Sequence, residues 1–135
     1  MERGQGNLPS FSIMDIQKIS DLSQLTDGML FEVTQADIDE GTALNCRLCP
    51  VSRALKRHFA ENIIVETGQV VILRDTHTHD SVYINNQYAL KVWIHDYDQF
   101  WLKHRTRVGN PMRLQLRISD EGNENYYELN VVKAK

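Results

Sequence analysis

The sequence predicts an α+β fold, a single domain in which an antiparallel or mixed sheet built from hairpins carries about three to four packed helices. Three observations predict it. β-branched runs come in pairs joined by short turns, helical apolar periodicities are interspersed among them, and no repeat, low-complexity block or linker divides the chain. The composition agrees, because 135 residues with 41% hydrophobic and 24% charged side chains suit one globular domain. A chain of this length buries roughly 65–70% of its unfolded surface, enough for a core without disulfide or metal support.

Taken in order, residues 1–11 hold two glycines and a proline without apolar periodicity and are expected to be a flexible tail, leaving 12–135 as the domain. Over 12–28, Ile13, Ile16, Ile19, Leu22 and Leu25 recur three apart between a capping Ser12 and a terminating Gly28, which predicts a helix. The apolar run 29–33 predicts a strand. Thr34 before an acidic first turn, with Gly41 as a stop, predicts a short helix. Pro50, placed where a missing N–H costs nothing, starts a helix over 50–59 with Val51, Ala54, Leu55 and Phe59 on one face and Arg53, Lys56 and Arg57 on another. The runs 63–66 and 69–73, split by Thr67-Gly68, predict a hairpin. The polar stretch 74–80 is a loop, and 81–84 a short strand. Leu90, Trp93, Ile94, Tyr97 and Trp101 step by three or four, favouring a helix over 86–104, although 88–94 alone also fits a strand. Two extended runs, 112–118 and 126–132, flank a polar turn and predict a terminal hairpin.

Charge is divided along the chain: residues 1–45 carry −6 and residues 46–135 carry +3, for a net −3. An isoelectric point near 5.9 excludes the broad basic footprint of a general DNA-binding domain, yet leaves local nucleic-acid contact open. No apolar run reaches the roughly 18–20 residues needed to span a bilayer, and the first residues lack a signal-peptide core, so a soluble cytoplasmic protein without membrane contact is expected.

The sharpest local feature is Cys46-Arg47-Leu48-Cys49. Together with His77 and His79 the pair could complete a tetrahedral Cys2His2 zinc site, structural because all four positions would be filled, if the 76–80 loop folded back onto the helix start. A redox couple would instead need a thiol acidified at a helix N-terminus. Two reduced thiols filling small spaces are the third reading. His58, His95 and His104 lie on helix faces. The carboxylate pairs Asp37 with Glu40 and Asp96 with Asp98 suit helix starts and solvated faces, and no nucleophile elbow or phosphate loop is present, so no enzyme activity is expected. Candidate partner-binding residues are Arg53, Lys56, Arg57, Lys103, Arg105, Arg107, Arg113 and Arg117. The last five, near Trp101, also fit a nucleic-acid binder in which arginines meet phosphates and aromatics stack on bases, although Trp93 and Trp101 lie on the apolar stripe as core residues do.

Three segments, 33–41 (Val-Thr-Gln-Ala-Asp-Ile-Asp-Glu-Gly), 49–55 (Cys-Pro-Val-Ser-Arg-Ala-Leu) and Val92-Trp93-Ile94 leading to Tyr97-Asp98, together resemble a type of small protein encoded by bacteriophages and prophages. The resemblance covers roughly the middle half of the chain, and its motifs are structural: a capped turn, a Pro-started helix and an apolar stripe. It implies a small protein that acts by occupying a host protein or ribonucleoprotein complex, as inhibitors of CRISPR complexes and other host-defence systems do. It implies no cofactor and no catalytic residue.

Overall fold

In the computed structural model the described residues are 18–20, 22–59, 63–72, 81–122 and 124–132. The first strand, β1 (Leu30–Val33), alternates strictly, burying Phe31 and Val33 and exposing Leu30 and Glu32, as a strand with one covered face must. Helix α1 (Gln35–Glu40) starts at Thr34, whose hydroxyl accepts the Asp37 N–H while the Asp37 carboxylate accepts the Thr34 N–H, a reciprocal capping box. Helix α2 (Pro50–Lys56) begins at the expected proline. A hairpin of β2 (Ile63–Val65) and β3 (Gln69–Ile72) leads through β4 (Val82–Asn86) to helix α3 (Tyr88–His104), and a long hairpin of β5 (Met112–Glu121) and β6 (Glu124–Val132) follows.

The six strands form one mixed sheet in the order β1-β5-β6-β4-β3-β2. Every adjacent pair is antiparallel except β4 with β6, which run parallel and pair at only two positions, Asn85 with Glu128 and Asn86 with Leu129. Gln87 extends that short seam: its N–H donates to the Leu129 carbonyl at 2.9 Å and its side-chain oxygen accepts the Val131 N–H at 2.9 Å. Met112, Leu114 and Leu116 of β5 and Leu129 of β6 turn toward the helices, while Arg113, Gln115 and Arg117 alternate onto the opposite, open face.

The sheet curls so that α2 packs against both edge strands, β1 and β2, and Phe31 meets Phe59 with ring centroids 5.9 Å apart. Both edges are capped. Arg57 donates to the Glu32 carbonyl on one, and the Val65 N–H donates to the Cys46 carbonyl at 2.7 Å on the other. Helix α3 lies across the same face, burying Leu90, Ile94 and Tyr97. The Tyr97 hydroxyl donates to the Ile38 carbonyl at 2.8 Å, tying α3 to the end of α1. Gly41, just beyond α1, is required by close approach, since a Cβ there would lie 2.8 Å from the Pro50 ring.

The α+β class and hairpin architecture match the expectation, and one element does not. The described part of the expected 12–28 helix holds an extended Ile19 bridged to Phe59, a single 3-10 turn at Leu22–Gln24, and Gly28 in a left-handed conformation (φ 93°) that feeds the β1–β5 ladder. The reason lies in the spacing. Steps of three, repeated without a four, drift about 60° per step around an α-helix, and they match the period of a 3-10 turn instead. The expected tail at 1–11 and the loop at 74–80 lie outside the described residues.

Candidate functional site

The eight candidate partner-binding bases do not converge on one face. Arg57 grips the buried Asp37, whose side chain is 1% exposed, through two hydrogen bonds of 2.8 and 2.7 Å. Burial would raise the Asp37 pKa, but the Arg57 bonds and the Thr34 N–H outweigh it and hold the carboxyl below the ordinary aspartate value, while Arg57 is raised in turn. Arg53 donates to Glu40 at 2.9 Å, and Lys56 donates to the Arg47 carbonyl. On the open sheet face Arg113 pairs with Glu32, and Arg117 pairs with Asp27 at 3.0 Å, whose carboxylate also accepts the Ile118 N–H. These five cations are therefore occupied in joining α1, α2, β1 and β5.

The remaining three sit at the end of α3. Arg105 closes the helix in a left-handed conformation (φ 54°), its N–H donating to the Trp101 carbonyl. Its guanidinium lies 5.8 Å from the Trp101 ring centroid and that of Arg107 5.1 Å, so the indole carries two cations. Arg107 also donates to the Gly41 carbonyl at 2.7 Å, pinning the following segment to the end of α1. Lys103 is exposed and, among the described residues, makes no hydrogen bond or ion pair. A ring already holding two guanidinium groups and half-buried against the core is poorly placed to stack on a base, which weakens the nucleic-acid use of Trp101.

Cys49 is the N-cap of α2, its sulfur accepting the Ser52 N–H. Burial, opposed only in part by hydrogen bonds from Ser52 and Val51, pushes its thiol up to about 11, the opposite of what a nucleophilic or redox thiol needs. Cys46 is exposed. His77 and His79 lie outside the described residues, and among the described residues no group of three or more His, Cys, Asp or Glu side chains could hold a metal ion. The two thiols line a cavity of about 250 Å³ with Glu66 and Asp98, and Asp98 is engaged by the Leu44 N–H at 2.9 Å.

Along α3, Tyr88, Val92, Phe100 and Leu102 are exposed while Leu90, Ile94 and Tyr97 are buried. Along one flank, two adjoining cavities of about 260 and 350 Å³ run between the helix and residues 105–111, sharing Asp96 and Val108 in their walls. The flank is rigidly built. Trp93 stacks on Tyr97 at 5.5 Å with planes 7° apart and donates its indole N–H to the Asn110 carbonyl at 3.3 Å. Gly109 lies against that indole, where a Cβ would come within 2.8 Å. Phe100 packs on His104, ring centroids 4.5 Å apart. Phe100, Val108 and the groove itself escaped the sequence reading. The available signal was that Tyr88, Val92, Phe100 and Leu102 fall off the stripe that the buried residues define.

Among the described residues no helix is long and apolar enough to cross a membrane. Compared with known proteins, the chain matches no family model, and neither a curated protein nor a solved structure is found to be similar to it.

Proposed function

We propose that this chain is a protein-binding module that acts by stoichiometric occupancy of a host protein or ribonucleoprotein complex, of the kind small phage-type inhibitors of host defence use. One observation carries the reading: the flank of α3 and residues 105–111 offer a preordered surface, with Trp93 held by its hydrogen bond and Phe100 exposed near the free Lys103. Aromatic anchors held on ordered backbone suit the core of an interface, because little side-chain entropy remains to be lost on association. The resemblance of segments 33–41, 49–55 and 92–98 to phage-encoded proteins supports the class of partner. The division of charge along the chain supports oriented encounter.

The test is retention from a bacterial lysate on the immobilised chain. Wild type and Tyr126→Ala, a change on the open sheet face, are expected to retain the same protein at near one-to-one stoichiometry, and Phe100→Ala to lose it. Failure of the wild type to retain any protein stoichiometrically, or equal retention by both variants, contradicts the reading.

A further inference from the structure

We infer that the groove between α3 and residues 105–111 takes an acidic peptide segment, with a large apolar side chain entering beside Trp93 and Phe100 and a carboxylate meeting Lys103 and His104. The inference rests on the protein-binding reading and specifies its partner chemistry. The two cavities, about 260 and 350 Å³, sit near the lower limit of the roughly 300–1,000 Å³ typical of small-molecule sites, a size for one or two side chains each. The first is walled mostly by apolar residues, among them Trp93, Tyr97, Pro111 and Met112, and the second sets Phe100 and Val108 beside the polar Gln99, Lys103 and His104.

Charge fixes the occupant's polarity. Of the eight candidate bases, seven are committed to carboxylates, backbone carbonyls or the Trp101 ring, and Lys103 alone has no partner among the described residues. It lines the groove together with His104, whose ring is held on Phe100. Asp96, in the wall common to both cavities, lies 3.6 Å from His95 and repels a carboxylate there, so the acidic group of a ligand is directed toward the His104 end. A nucleic-acid strand would need a run of free cations along its path, and the groove offers one end only. The site is preformed: the Trp93 to Asn110 hydrogen bond, the Gly109 contact and the Arg107 to Gly41 bond all hold residues 105–111 in place without a ligand.

The probes are N-acetyl-L-tryptophan, which carries an apolar ring and a carboxylate, and its neutral amide, each titrated into the full chain and followed by two-dimensional amide NMR. Both are expected to shift the Trp93 indole N–H, Val108 and Gly109. The carboxylate should bind about two- to fivefold tighter, the gain of one exposed ion pair. In Lys103→Ala the ratio should fall to one with amide binding unchanged. Equal binding of the two probes by wild type, shifts centred on Tyr83 and Tyr126 instead, or a groove covered by a second copy in concentration-dependent spectra would each overturn the inference. So would displacement of the probe by a single-stranded oligonucleotide. A lysate partner retained equally by wild type and Lys103→Ala would overturn the groove assignment and leave the binding module intact. Absence of stoichiometric retention by wild type, with the probe still titrating the groove, would overturn the module instead.

Discussion

Asp37→Asn is the most informative single change for the fold that carries this surface. Asp37 is 1% exposed and its two oxygens accept two bonds from Arg57 and one from the Thr34 N–H, with Arg53 Nε 3.5 Å away. The amide keeps the shape but places an NH2 group against guanidinium donors, so at least one Arg57 bond is lost and a donor is left facing a donor. Removing one partner of a buried pair costs about 3–5 kcal/mol when the other stays buried. Because the Arg57 side chain is 46% exposed and can turn to water, the lower end applies, about 3 kcal/mol. Asp37→Ala loses the cap as well, adding about 1 kcal/mol. For a chain of this size 3 kcal/mol lowers Tm by roughly 9–12 °C, a large part of the stability of an ordinary domain. Urea and thermal unfolding followed by tryptophan fluorescence and circular dichroism measure it, with the urea midpoint falling at unchanged slope. The acid limb gives a second signature. A carboxyl depressed below its ordinary 3.8 contributes stability that is fully present above the unfolded value and is lost as pH falls through the folded value, so wild type should weaken below about pH 4 and Asp37→Asn less so. An asparagine variant with the wild-type midpoint and an unchanged acid limb would refute the reasoning.

Gly109→Ala drives a Cβ to 2.8 Å from the Trp93 ring at a φ of 154°, so a loss of about 1–3 kcal/mol and a displaced Trp93 indole N–H resonance are expected, and an unchanged spectrum contradicts the packing. Iodoacetamide at pH 8 should alkylate the exposed Cys46 readily. Cys49, with a thiol near 11, is about a thousandth ionised at that pH and should react only on unfolding, so equal rates would contradict its burial. Labelled single-stranded oligonucleotides are expected to bind only weakly, because four of the eight named bases are paired with carboxylates of the chain; tight binding that weakens steeply with salt would contradict this.

What was legible in the sequence was local. The Thr34 cap, Pro50, the Thr67-Gly68 turn and the long stripe of α3 each specify an element by short-range chemistry, and those elements stand within a few residues of expectation. Strand order was not legible, because the β4–β6 seam rests on two paired residues and on Gln87, which no periodicity reveals. The three-residue spacing before Gly28 misled for a physical reason: Ile19 and Leu25, which fall on different sides of an α-helix, both reach the core from an extended bridge and from the residue after a 3-10 turn. The candidate bases were legible as residue types, but the sequence was silent about their partners. Asp37 lies twenty positions from Arg57, and Asp27 ninety from Arg117, so only the folded chain reveals that these charges are spent internally. The groove depends on Gly109 and Asn110 meeting Trp93 across the turn after α3, again a contact without a sequence signature.

Hydrogen exchange of the chain alone and with its lysate-captured partner tests the central claim most directly, because slowed exchange locates a covered surface without any substitution. The account predicts protection centred on the second half of α3 and residues 105–111, with the open face of β5, β6 and β4 unchanged. Protection confined to that open face, or none anywhere in the presence of a stoichiometric partner, would contradict it.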